Sequence, residues 1–326
     1  MTDASVTDKD NARPAASVLL EGVHKSFYDK AREIEVIRGV SLEIEPGEVF
    51  GILGENGAGK TTLIRMMSTQ LVPDRGTITV AGHDVVRAQR QVRGVINVVE
   101  GGDKGLYPWL TARENLRLFA LLYGQSRKAV DERVETLLDR VRLKEEARGR
   151  PVMTYSKGMK QLVLLAKGLV NAPKVLFLDE PTVGLDMDAV HRIREIVRGL
   201  KAEGTTVVLT SHNASDVDSV CERVALLVGG RIERLCRMEE LRAQYRSALT
   251  CVVSDQSVLA RLQALAGTCR TVPLAAGFEV EATLDQPGLE GFYRLLAEHP
   301  GAIDGIAIQG ASLEEFYRTL IGGKAA

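Results

Sequence analysis

The 326-residue chain is poor in aromatic residues and has a single tryptophan, Trp109. Its four cysteines, Cys221, Cys236, Cys251 and Cys269, are widely scattered. None forms a C-x-x-C pair, so a zinc spacing is excluded, and scattered thiols fit a reducing cytosol. No charge-free apolar run reaches the ~18 residues of a membrane span. Work at a membrane would need a partner that supplies the span. Neither sign of charge is in excess, with 42 Lys plus Arg against 43 Asp plus Glu. That balance argues against nucleic acid as a charge-driven partner, though a local basic patch stays open. The start of the chain, MTDASVTDKDNARPA, has no apolar stretch of signal-peptide type. Residues 1–15 are expected to form a disordered, polar tail.

Hydrophobic residues make up 45% of the chain, enough for a sizeable core. The length fits one large domain and a small one. VLLEGVHKSF and EVIRGVSLEIE alternate like antiparallel strands, and Gly76–Val85 reads as another. From Leu110 to about Leu143 the spacing is helical. KVLFLDEP and TTVVLTSHN read as buried strands, separated by a helix that stops at Gly204. RVALLVGGRIERL reads as a hairpin around Gly229 and Gly230. Near Leu235–Tyr245 the pattern changes to strand, helix, two strands, helix, strand and a closing helix over Leu313–Ile321. That order suggests a small α+β domain of ferredoxin-like type. The chain has no internal repeat between these regions.

GENGAGKTT joins the apolar run Val49–Leu53 to a segment with helical spacing at Leu63, Met66, Met67 and Leu71. Gly54, Gly59, Lys60 and Thr61 match G-x-x-x-x-G-K-[ST]. Glycine lets backbone N–H groups approach an anion without a Cβ in the way, and the helix N-terminus favours negative charge. The whole loop, Gly54, Glu55, Asn56, Gly57, Ala58, Gly59, Lys60, Thr61 and Thr62, is read as a nucleotide cradle. Lys60 would neutralise phosphate charge, and the Thr61 hydroxyl would ligate Mg2+. The alternative is a tight strand-to-helix turn that needs glycine for its own geometry.

VLFLDEP ends a buried strand with Asp179 and Glu180, where ligands of α/β sheets bind. Asp179 suits Mg2+ and Glu180 suits a general base toward an attacking water. The alternative is a strand ending in two solvated acids. His212 follows another apolar strand, and the bland reading is a structural histidine. In YSKGMKQ, Ser156 is a good N-cap. An ordinary cap does not require Gly158 in the first turn, where glycine costs about 1 kcal/mol against alanine.

The order of phosphate loop, Tyr155–Met159, Asp179–Glu180, Gly184–Asp186 and His212 resembles the ATP-binding cassette (ABC) ATPases. The likeness spans roughly Ser17 to Met238. It implies a P-loop α/β domain over 16–240, with an antiparallel β subdomain and a helical subdomain at about 105–170. An accessory domain would fill 241–326. It implies ATP and Mg2+ as ligands, and two cassettes packed head to tail. Ser156, Lys157, Gly158 and Met159 would then close on the γ-phosphate held by the other copy, or by a sibling cassette. Asp186 would couple the two sites, His212 would reach the γ-phosphate, and Phe27 or Tyr28 would stack on adenine.

Two departures from the family pattern stand out. Y-S-K-G-M replaces the usual L-S-G-G-Q, keeping Ser156 and Gly158. Glu100 lies where the family carries a metal-sensing glutamine. Tyr107 and Trp109 fall at the family's groove for a membrane partner, or pack on the helical subdomain instead. The wording of the motifs and the closing ASLEEFYRTLIG resemble the branch that serves ABC-2 type exporters. That branch implies a peripheral subunit on the cytoplasmic face of a bacterial inner membrane, beneath two integral membrane subunits, with no nucleic acid. A soluble ABC ATPase acting on ribosomes or DNA, and an importer ATPase, are the rival readings.

Overall fold

Alternating hydrophobicity near the start of the chain builds a hairpin of β1 (Val18–Asp29) and β2 (Arg32–Ile44), paired antiparallel. The computed structural model describes residues 16–30, 32–102, 105–244, 246–310, 313 and 317. The 1–15 tail lies outside them, as does most of the closing helix, of which only Leu313 and Tyr317 are described. The described residues divide into two compact units: residues up to 212 with 219–235, and residues 213–218 with those from 236 onward.

In the first unit, β3 (Val49–Leu53) runs into a loop and then α1 (Lys60–Met67). Thr69 takes φ +66° just after the helix, so Leu71 falls outside α1, although the sequence spacing placed it there. Its side chain still packs on the same core. β4 (Arg75–Val80) pairs with β1, and β5 (His83–Asp84) completes a sheet of order β2-β1-β4-β5. The single strand expected over Gly76–Val85 is therefore two. Ala81 and Gly82 both take positive φ and turn the chain between them.

After α2 (Gln89–Val95) comes β6 (Ile96–Glu100), a strand the sequence reading did not assign. A helical region follows: α3 (Ala112–Leu122), α4 (Arg127–Arg140), α5 (Glu145–Arg148) and α6 (Lys157–Gly168). β7 (Val175–Asp179), α7 (Met187–Ala202), β8 (Thr206–Ser211), α8 (Ala214–Val220), β9 (Arg223–Val228) and β10 (Arg231–Arg237) complete the element order, α8 and β10 spanning the unit boundary. The second sheet has the order β10-β9-β3-β8-β7-β6. Its pairs from β9 to β6 are parallel. Every residue of β3, β7 and β8 is buried, as befits parallel strands covered on both faces. The C-terminal ends of β3, β6, β7 and β8 lie together along one edge, where an open α/β sheet binds its ligand.

The second unit contains α9 (Met238–Gln244), β11 (Ser247–Val253), α10 (Gln256–Leu265), β12 (Thr268–Leu274), β13 (Gly277–Leu284), α11 (Gln286–Glu298) and β14 (Ile303–Gln309). Asp255 and Asp285 cap the N-termini of α10 and α11. The antiparallel order β12-β13-β11-β14 is the ferredoxin-like arrangement. Leu249, Cys251 and Val253 alternate onto the face that packs Val258, Leu262, Phe292 and Leu295.

Candidate functional site

The Gly54–Gly59 loop leaves β3 and enters α1 with Gly59 in the left-handed region at φ +107°. Two approaches fix its glycines. A Cβ on Gly54 would lie 2.5 Å from the Leu227 carbonyl, and one on Gly59 would lie 2.5 Å from Ile37 Cδ1. The β1–β2 hairpin thus presses against the loop at Val36 and Ile37. The backbone N–H groups of Gly59, Lys60 and Thr61 find no acceptor among the described residues, leaving a ring of donors at the helix start.

Lys60 is 5% exposed. Its Nζ donates to the Gly54 carbonyl at 2.7 Å and the Glu55 carbonyl at 3.0 Å. The third partner is Glu180 Oε1 at 3.1 Å. Glu180 adopts φ +49°, a conformation that costs a non-glycine residue about 1–3 kcal/mol and clusters at functional sites. It is held on every side. Its N–H approaches both the carbonyl and the hydroxyl of Thr210 at 3.2 Å. Its Oε2 meets His212 Nδ1 at 2.7 Å. The Thr210 hydroxyl in turn donates to Asp179 Oδ1 at 2.6 Å. Asp179 is buried, yet its carboxylate forms no ion pair among the described residues. Glu100 closes β6 directly beside Asp179 in the strand register.

Thr210 and Gly101 are site residues that sequence reasoning missed. Thr210 ties the two acids together. A Cβ on Gly101 would lie 2.5 Å from the Glu180 carbonyl, while its N–H donates to the Asp179 carbonyl at 2.8 Å. The only sequence signals were a threonine two residues before His212 and a glycine directly after Glu100.

Ser156 caps α6, accepting from Met159 N at 3.2 Å. Asp186 caps α7, accepting from Ala189 N at 2.8 Å. Gly158 has a packing reason that its sequence context does not reveal: a Cβ there would lie 2.8 Å from Ala189 Cβ. The side chain of Lys157 lies over Gly184. Tyr155, which departs from the family's leucine, is buried, and its hydroxyl donates to the Ala147 carbonyl at 2.5 Å. These residues form one cluster at the starts of α6 and α7. Among the described residues, no hydrogen bond or ion pair joins Ser156, Lys157 or Gly158 to the loop.

The family model for ABC transporters matches residues 37–183. The Nod factor export ATP-binding protein I of Rhizobium sp. (strain N33) is 43% identical over 212 residues, covering 65% of this chain and 68% of that protein. The chain belongs to the ABC transporter ATP-binding family. A daunorubicin resistance ATP-binding protein, DrrA3 of Streptomyces coeruleorubidus, is 34% identical over 315 residues, covering 94% and 96% of the two chains. A solved dimeric ATP-binding cassette in a post-hydrolysis state, bound to ADP and Pi, superposes with a TM-score of 0.62 at 25% identity. That match covers 68% of this chain and 98% of the other. As a member of this family the chain binds ATP, is an ATPase and acts with membrane permease components. Among its described residues, no helix is long and apolar enough to cross a membrane.

Two aromatic pairs of this ABC ATPase sit apart from the phosphate loop in sequence. On β1, Phe27 is exposed beneath Lys25, whose Nζ stands 5.8 Å from its ring centre, and Tyr28 is 75% exposed. The second pair, Tyr107 and Trp109, divides. Tyr107 packs on Phe119 of α3 with ring centres 6.1 Å apart, whereas Trp109 is 74% exposed. The loop that carries them is pinned by buried Asn115. Its carboxamide accepts from Tyr107 N at 2.7 Å and donates to the carbonyls of Tyr107, Leu110 and Thr111. Thr111 and Glu114 then form a capping box that starts α3.

Proposed function

We propose that this ATPase powers export through separate integral membrane subunits, two of them, from the cytoplasmic face of a bacterial inner membrane. The reading rests on one observation above the rest: its 43% identity to a protein named for Nod factor export. The likeness to a daunorubicin resistance ATPase along nearly the whole chain agrees with it.

In this reading the loop amides and Lys60 hold the triphosphate of ATP, with Phe27 or Tyr28 against adenine. A phosphate oxygen takes the place of Glu180 on Lys60. That frees a carboxylate already aimed at the same space, and Glu180 accepts the proton of the attacking water. His212 keeps hold of Glu180 Oε2 and contacts the γ-phosphate. The buried Asp179 carboxylate, which makes no ion pair among the described residues, suits a hard divalent cation together with Thr61 and Glu100. Mg2+ bound there would neutralise charge on the transferring phosphoryl group. Ser156, Lys157, Gly158 and Met159, which among the described residues make no hydrogen bond or ion pair to the loop of their own chain, serve the loop of a second copy or of a sibling cassette. Asp186 links the two sites. A head-to-tail dimer brings the clusters together and closes on ATP; hydrolysis reopens it.

Trp109 is the contact for the membrane subunit. An exposed tryptophan on a pinned loop is an interface anchor, and aromatic residues dominate such hot spots. Tagged protein carrying Glu180→Gln, incubated with ATP and detergent-solubilised membranes of the native host, is expected to recover an integral membrane protein. Adding Trp109→Ala should lose that partner, by about 2 kcal/mol or more of binding, while the melting temperature stays put. Recovery of ribosomes or nucleic acid in place of a membrane protein would overturn the export reading.

A further inference from the structure

A second concave site lies at the other end of the sheet, away from the phosphate loop. It is a cavity of about 610 Å³ at the N-terminal ends of β7 and β8. Its walls come from α4, from the Leu169–Lys174 connection after α6, and from the turn between α7 and β8. The volume falls within the range of small-molecule sites, roughly 300–1,000 Å³. None of its described lining residues is aromatic. It therefore offers no aromatic ring for a nucleobase to stack on.

Its charge is unbalanced. Arg140 is bidentate to Glu203, at 2.8 and 2.9 Å. Arg133, one helical stretch earlier on α4, is part-buried and donates Nη2 to the Leu169 carbonyl at 2.7 Å. Among the described residues Arg133 makes no ion pair, and neither does Lys174 on the facing wall. Burial, then the neighbouring Arg140, push the Arg133 guanidinium below its usual range, and Glu203 only partly opposes them. Two cations thus face one cavity after its single carboxylate has been committed to a third. A part-buried guanidinium kept from a counter-charge is a cost that a bound anion relieves. The planar fork of Arg133 suits a phosphoryl group, and Lys174 adds a mobile point charge at the rim.

We propose that this cavity binds the dianionic phosphoryl group of a small, polar, non-aromatic metabolite, at a site separate from the ATP site. A ligand there touches α4 and both connections that feed β7 and β8. It would tie the helical region to the edge of the parallel sheet. The inference is independent of the export reading.

The test uses inorganic pyrophosphate on the full chain carrying Lys60→Ala, so that the phosphate loop is weakened. Calorimetry should give one binding event. Hydrogen exchange should then fall in 127–140 and 169–174, not in 54–62. Lys174→Ala, an exposed change that leaves the fold intact, should weaken binding about fivefold, and Arg133→Met by about tenfold or more. The proposal is overturned if pyrophosphate gives no heat, if protection is confined to 54–62, or if neither substitution changes the affinity.

Discussion

Glu180→Gln is expected to cut ATP turnover by a factor of about 10²–10⁴, the usual worth of a positioned general base. ATP should bind this variant at least as tightly as the parent. The reason lies in the ion pair between Lys60 Nζ and Glu180 Oε1 at 3.1 Å. Phosphate and carboxylate compete for one ammonium group, and glutamine competes as a neutral amide. The swap keeps the shape, and the amide oxygen can still accept a hydrogen bond from the His212 side. Steady-state phosphate release and equilibrium ATP binding measure the two effects separately. Turnover within tenfold of the parent would remove Glu180 from the base role. A large loss of ATP affinity would mean that the carboxylate helps to hold the nucleotide.

Lys60→Ala has the opposite signature. The buried ammonium is bonded to the loop through the Gly54 and Glu55 carbonyls. Its loss removes charge-assisted contacts to phosphate worth about 1.5–3 kcal/mol, a weakening of roughly 10- to 150-fold in ATP affinity. It also leaves the Glu180 carboxylate without its lysine partner, though still paired with His212, at a strained backbone position. A modest loss of thermal stability is therefore expected alongside the loss of binding. Fluorescent nucleotide titration reads the affinity. An unchanged value would sink the assignment of the loop.

The phosphate loop was legible because its chemistry is local. Glycine spacing, Lys60, Thr61 and the flanking apolar strand all lie within one short stretch. Strands β3, β7 and β8 were legible because burial on both faces leaves near-continuous apolar runs. The ferredoxin-like unit was legible from the order of alternating and helical patterns. What was not legible depends on contacts between distant parts of the chain. Gly101 is required by the carbonyl of Glu180, and Thr210 matters because it bridges Asp179 and Glu180. Gly158 reads as a costly cap until Ala189 of α7 is brought against it. β6 went unassigned because INVVE is short and runs straight into glycines. Ala81 and Gly82 look like strand interior but adopt turn angles. For Trp109 the sequence left docking and packing equally open, and the exposure of the ring separates it from Tyr107.

The central claim is that ATP closes two cassettes so that Ser156 of one copy completes the site of the other. Light scattering on the Glu180→Gln protein, with and without ATP, tests it most directly. The account predicts that ATP doubles the mass and that adding Ser156→Arg returns the protein to monomer while each chain still binds nucleotide. A protein that stays monomeric with ATP at every concentration, or a dimer that survives Ser156→Arg, would contradict it.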